Sequence, residues 1–215
     1  MYKTVSKYKS NIILNEKYID FINIQISKLM LEHLEYIKIK PKRILSVHMN
    51  EKVFSNIKKL YPNVKIININ KHNFLFGKNF FYKNNIIKNN SIDIIMFNIS
   101  VPWYKNFILL INEIKRVSKK NAILLFNGIH SFNINKKLIY NKTLDIYNVG
   151  NILLKYELKN IAIDNIMIKM KYESYKTFFL DIIKSKLFLL GNIKLNNLDM
   201  PINLNINVNF GHANL

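Results

Sequence analysis

From Arg43 to Ile69 the chain reads strand, tight turn, helix, strand. A basic lead-in with a proline (Lys40-Pro41-Lys42) runs into a short apolar strand ending near Val47. A helical stretch from Glu51 to Leu60 follows, then Tyr61-Pro62 and a second strand, Val64 to Ile69. That order opens a dinucleotide-type α/β domain, whose first turn normally carries glycines so that the backbone can approach a ligand. Here the turn reads Ser46-Val47-His48-Met49-Asn50, with no glycine. The layout specifies a nucleotide-cofactor site, while the loop puts Cβ atoms where the ligand would approach.

The rest of the chain continues the alternation. Tyr18 to Ile37 carries apolar residues at helical spacing (Ile19, Ile22, Ile26, Leu29, Met30, Leu34), and Tyr104 to Ser118 does the same through Phe107, Leu110, Ile111, Ile114 and Val117. Ser91–Phe97 and Ala122–Phe126 read as buried strands, and a short strand near Phe80 to Tyr82 is also considered. Asp145 is placed as the N-cap of a helix through Leu154. Ile161 to Met170 alternates on either side of an irregularity, Tyr175 to Leu189 reads as a helix, and Asn203 to Phe210 alternates strictly, as a strand with one polar face. Strands and helices of these lengths predict a parallel sheet covered on both faces. No linker, repeat or composition break divides the 215 residues, so one domain is expected.

Composition narrows the classes. Hydrophobic residues make up 49 %, a globular value, and no apolar run approaches the length of a membrane helix. Without cysteine there are no disulfides, thiolate metal sites or cysteine nucleophiles. The N-terminus lacks the pattern of a secretory signal, so a cytoplasmic monomer is expected. The net charge of +20 raises nucleic acid as a partner. The lysines, however, are spread along the chain and come with an excess of Ile and Asn, the latter about one residue in six. AT-rich coding produces that triple bias whatever the function, so the charge is read as compositional.

Several segments resemble the malonyl-carrier-protein O-methyltransferases of biotin synthesis, a family of class I S-adenosylmethionine-dependent methyltransferases. Leu29 to Leu45 looks like the family's helix and lead-in, and Ser91 to Trp103 (SIDIIMFNISVPW) like its strand closed by an Asn and a Trp. Leu144 to Leu154 is similar to its helix with an early Asp and a mid-helix Gly, here Asp145 and Gly150. Ile168–Tyr172 and Phe178-Phe-Leu-Asp181 look like the strand and helix that follow. Phe210-Gly-His-Ala213 resembles its terminus, with Asn214 in place of a Trp. The resemblance implies a Rossmann-like, seven-stranded, mostly parallel sheet with helices on both faces and an antiparallel last strand. It divides the chain into a helical lead-in (1–40), a cofactor half (41–126) and a substrate half (127–215).

It also implies site residues. The family's Asp-Leu-Gly-x-Gly-x-Gly loop maps onto Ser46 to Lys52, placing Ser46, His48 and Asn50 against S-adenosylmethionine, with every glycine replaced. The acidic residue that would hold the ribose hydroxyls maps onto Asn70, and Tyr8 matches a tyrosine that folds over the cofactor. Asn98 ends a strand where a polar side chain faces the crevice. Trp103 and His212 are assigned to the substrate side. His33, His72 and His130 read as surface residues, Asp93 as structural, and no histidine spacing suggests a metal. The implied reaction is methyl transfer to the free carboxylate of malonyl-acyl-carrier protein, weakened by the loop. Two alternatives stand beside it: an inactive protein that keeps the fold and binds a partner, and an RNA-binding or RNA-modifying relative. Against the last, the chain has Asn98-Ile-Ser-Val in place of an Asn/Asp-Pro-Pro-aromatic motif.

Overall fold

Three β-rich apolar runs in the first half of the chain are long enough to be strands and too short to be buried helices, and each forms a strand of one sheet. The computed structural model describes residues 21–47, 49, 53–69, 87–97, 107–135, 137–140, 146–185 and 200–215. Its strands are β1 (Arg43–Val47), β2 (Lys65–Ile69), β3 (Ile92–Phe97), β4 (Ser118–Ile134), β5 (Lys137–Tyr140), β6 (Lys159–Tyr172) and β7 (Ile202–Asn214). The helices are α1 (Phe21–Glu35), α2 (Phe54–Leu60), α3 (Phe107–Val117), α4 (Ile146–Lys155) and α5 (Tyr175–Ser185). The sheet runs β2-β1-β3-β4-β7-β6, with β5 paired to β4. β1, β2, β3 and β4 are mutually parallel, and β7 runs antiparallel between β4 and β6. The expected architecture is therefore present, its last strand antiparallel and internal to the sheet. Asp145 and the Phe80–Tyr82 strand lie outside the described residues, among which no helix is long and apolar enough to cross a membrane.

Each face of the sheet has its own core. α1, α2 and α5 cover one face, burying Ile22, Ile26, Met30 and Leu34 against Ile44, Met96, Leu125 and Phe210. α3 and α4 cover the other, over Val47, Phe97, Leu124 and Phe126. The α1 residues fall at every fourth position, so a single stripe goes inward. Ile26 and Leu34 are completely buried, and each contributes about 1.5–3 kcal/mol. The stripe is wide enough to take His33 with it. Its ring stacks on Phe210 at 5.5 Å between centroids and 11° between planes, so His33 is a packing residue and not the surface residue expected.

Two long strands behave differently from a simple period of two. In β6, Ile161 and Ile163 pack on the α4 side, whereas Ile166, Ile168 and Met170 pack on the α1 side. The register from Ala162 to Tyr172 is nevertheless unbroken. The phase change marks where cover passes from one layer to the other, and the backbone irregularity lies earlier, between Lys159 and Ala162. In β4 the strand continues past Phe126 to Ile134, and a bulge between Ile129 and Ser131 shifts the inward positions from Ile129 to Phe132 and Ile134. That shift breaks the alternation and hides the extension and its β5 hairpin from a sequence reading.

A glycine-poor chain still needs left-handed backbone at its turns. Asn90, Asn121, Asn135 and Asn160 supply it, with φ of 48°, 65°, 46° and 50°. Asparagine is the non-glycine residue best suited to that region. By contrast, Gly150 is not required by space: a Cβ there would meet only Ile163 Cδ1, at 3.6 Å. Gly150→Ala is expected to raise stability by about 0.5–1 kcal/mol through helix propensity, read from the denaturant midpoint. A loss would show that this helix position serves something other than packing.

At the amino ends of the strands Asp93 fastens the lead-in. Its carboxylate accepts the Lys42 and Arg43 backbone N–H groups at 2.9 and 2.8 Å and the Lys119 ammonium at 2.7 Å. Partial burial pushes the Asp93 carboxyl upward, but Lys119 and the two backbone donors outweigh it and hold it below its ordinary value of 3.8. A depressed carboxylate stabilises the fold above the unfolded pKa, and that contribution is lost as pH falls through the folded pKa. Asp93→Asn should therefore show a shallower loss of stability than the parent between about pH 5 and pH 2. Parallel curves in acid denaturation would remove Asp93 from this role, which is the structural one its position suggests.

Candidate functional site

The order of connections locates the site. From β1 the chain goes to β2 on one side and then crosses to β3 on the other, so the strand order reverses at β1. In open α/β sheets a crevice forms outside the carboxyl ends of the strands at such a switch point. The three ends coincide, because Val47 pairs with both Ile69 and Phe97, the last residues of β1, β2 and β3. The three strands thus end in one row. This is the layout a cofactor loop requires, and the local apolar runs bring it about by ending together.

Two of the expected site residues lie in described structure. Ser46, one position before the end of β1, is fully buried, and among the described residues its Oγ has no hydrogen-bond partner. A buried hydroxyl left unpaired costs about 1–3 kcal/mol, so a partner at this strand end would be stabilising. His212, half-buried in β7, belongs to the same register row: Ser46 pairs with Met96, Met96 with Leu125, and Leu125 with His212. Both side chains are therefore on the α1 face, but three strands apart, or about 14 Å at ordinary strand spacing. The structure places them in one row without bringing them together. Tyr8, His48, Asn50, Asn70, Asn98 and Trp103 lie outside the described residues.

One residue that the sequence reading passed over borders the site. Asn127 follows Phe126, the β4 residue paired with Phe97, and so stands one row beyond the ends of β1 and β3. It is completely buried, and its Nδ2 lies 3.6 Å from Met30 Sδ. A polar residue ending the apolar run Ala122–Phe126 was the available signal. Beyond it, β4, β7 and β6 rise above the crevice as a wall. On the wall's α3/α4 side, amides bond across strands, Asn207 to Ser131 at 2.8 Å and Asn165 to Asn209 at 2.7 Å.

The terminal Phe-Gly-His-Ala segment has a packing explanation of its own. Gly211 pairs with Phe126 on β4, and the Phe126 ring lies directly over it. A Cβ at Gly211 would be 2.3 Å from Phe126 Cζ. Phe210 on one face holds His33, and Gly211 on the other admits Phe126, so the motif joins both cores through adjacent residues.

No family model matches the sequence, and no curated protein sequence does. Solved structures match the fold. An S-adenosylmethionine-dependent methyltransferase from Archaeoglobus fulgidus superposes with a TM-score of 0.50 at 11 % identity, covering 90 % of this chain and 94 % of that one. Phosphoethanolamine N-methyltransferase 2 of Haemonchus contortus, solved with S-adenosylmethionine, gives 0.50 at 12 % identity over 93 % of this chain and 58 % of the other. The chain spans about half the length of the Haemonchus contortus enzymes it resembles. The chain has the class I methyltransferase fold.

Proposed function

We propose that this chain binds S-adenosylmethionine at the carboxyl ends of β1 and β2 and transfers its methyl group to a carboxylate, that of a malonyl group on acyl-carrier protein. The observation that carries the cofactor half is the coincidence of three strand ends at the switch point, with the Ser46 hydroxyl buried beside it. The substrate half rests on the sequence resemblance of the late segments, above all Phe210-Gly-His-Ala213.

When bound, the cofactor supplies a methyl group on a sulfonium. A malonyl carboxylate is already ionised at neutral pH, so the acceptor needs no general base. What remains for the protein is to align the two groups and exclude water. The β4–β7–β6 wall would supply one side of that enclosure, with Asn127 at its foot.

The loop without glycine favours a second reading, a protein that keeps the fold and has lost the cofactor. A non-glycine residue forced to positive φ costs of order 1–3 kcal/mol, or up to about two orders of magnitude in affinity. Asn50 is the mildest of the replacements, since this chain sets asparagine in left-handed backbone four times elsewhere. Among the described residues no histidine is set there, although Glu157 is, at φ 61°. Isothermal titration with S-adenosylhomocysteine separates the readings. The natural chain is expected to bind at micromolar strength, and a His48→Gly/Asn50→Gly variant at least tenfold more tightly. Binding by the variant alone would mean a preserved fold with a decayed loop. If neither binds, the enzyme reading fails. Methyl transfer from labelled cofactor to malonyl-carrier protein then tests the acceptor.

A further inference from the structure

At the opposite end of the sheet from the crevice lies a cavity. It has a volume of about 660 Å³ and opens between the last turn of α1, the extended segment after it and the carboxyl end of α2. Its apolar lining is Ile37, Ile39, Leu60 and Val64, with Tyr61 and Pro62 beside them and Lys38, Lys40 and Glu35 as its charged residues. The volume lies within the range of small-ligand pockets. Leu60 in the lining is 39 % exposed, and Tyr36, which lies in sequence between the lining residues Glu35 and Ile37, is 85 % exposed.

The charge around this cavity is mainly positive, with Glu35 the one acid among its lining residues. From residue 36 to residue 65 the described residues contain no Asp or Glu, against Lys38, Lys40, Arg43, Lys58, Lys59 and Lys65 among others, all exposed. Glu35, exposed at the end of α1, faces these cations from the cavity's own lining, and Asp93 is taken up by Lys119 and the lead-in backbone. Charge spread evenly along a sequence becomes a predominantly basic surface here because the lead-in, the end of α2 and the start of β2 meet, as Arg43 pairs with Lys65 and the Lys65 N–H donates to the Lys42 carbonyl.

We propose that this amino-end cavity and its lysine rim bind single-stranded nucleic acid, with an unpaired base against Tyr36, Tyr61 and the apolar wall and the flanking phosphates on the lysines. Aromatic platforms interleaved with cations are the chemistry of sequence-tolerant single-strand binding. A flat base fits the opening only when it is out of a helical stack, so a duplex is a poorer ligand. The site lies on the far side of the sheet from the crevice, so it does not depend on cofactor binding, and the two can fail separately.

The test is fluorescence anisotropy of a labelled mixed-sequence 12-nucleotide RNA, and of the same sequence as a duplex, over a salt series. Lys38→Glu/Lys40→Glu is compared with Lys169→Glu/Lys176→Glu, an equal charge change at the carboxyl end of the sheet, and with Tyr36→Ala. The parent is expected to prefer the single strand. The rim variant should weaken it at least tenfold and lower the salt slope by about 1.4, given about 0.7 per phosphate contact. Tyr36→Ala should weaken it at least fivefold, and the distant charge variant less than threefold. Equal loss from both charge variants would reduce the effect to net charge and overturn the site, as would no binding at low salt or equal affinity for the duplex. Displacement of an anionic fluorescent fatty acid from the cavity, with RNA unaffected by the rim variant, would assign it to an amphiphile instead. Circular dichroism of all the variants, and S-adenosylhomocysteine titration of the rim and Tyr36→Ala variants, each expected unchanged, keep folding and the first site separate.

Discussion

Gly211→Ala is expected to cost about 3 kcal/mol of stability, at the upper end of what overpacking a core usually does. The new methyl would lie 2.3 Å from Phe126 Cζ and under 3 Å from both Cε atoms. Phe126 is itself buried in the α3/α4 core, so its ring cannot swing into solvent. For a chain of this size the loss corresponds to a melting temperature lowered by roughly 6–12 °C. Phe126→Leu should be mildly destabilising alone and should relieve most of the Gly211→Ala penalty when combined with it. A coupling of at least 1 kcal/mol between the two sites is the signature sought. Additive losses, or a Gly211→Ala protein within 0.5 kcal/mol of the parent, would show that the ring yields and that the glycine serves another purpose.

The second large effect concerns Asp181. This fully buried carboxylate in α5 accepts the Ile22 backbone N–H at 3.3 Å and the Tyr172 hydroxyl. Ile22 is in the first turn of α1, where N–H groups have no partner within the helix, so Asp181 caps a helix that precedes it by 159 residues in sequence. Tyr172 ends β6 and packs edge-on against Phe178 at 5.3 Å. One side chain thus ties α1, β6 and α5. Asp181→Ala deprives two buried donors of their acceptor, and a loss of about 3 kcal/mol is expected. Tyr172→Phe removes the hydroxyl that donates to Asp181 and should cost about 1–2 kcal/mol. In the Tyr172→Phe background the Asp181→Ala loss should shrink, since the hydroxyl is no longer there to be stranded. Hydrogen exchange locates the effect: amides of the first turn of α1 should exchange faster in Asp181→Ala while those of β1 keep their relative protection. Uniform acceleration with no coupling to Tyr172 would mean a general packing defect instead of a lost cap.

Much of the fold was legible because short apolar runs and amphipathic stripes are local signals. The strands ending at Val47, Ile69 and Phe97 and the Ile22–Leu34 stripe of α1 follow from residue spacing alone. Where spacing is set by something non-local, it misleads. The β4 extension was hidden by a bulge that changes which residues face inward. The change of phase in β6 looked like a backbone irregularity, yet it records which helix layer lies above each half of the strand. His33 was read as a surface residue because its partner, Phe210, is 177 positions away in sequence.

The candidate sites divide in the same way. Sequence alone placed a cofactor-type loop after the strand that contains Ser46 and showed that it has no glycine, since both follow from the order and identity of neighbouring residues; the reversal of strand order at β1 came from the sheet. Only the tertiary structure decided that Ser46 and His212 share a row but stand three strands apart, that Gly211 exists to admit a ring, and that Asp181 caps a distant helix. It also decided that lysines scattered along the chain gather into a predominantly basic surface at the amino ends of the strands. Charge, contact and cavity are properties of positions in space. A sequence fixes them only through the packing that brings remote segments side by side.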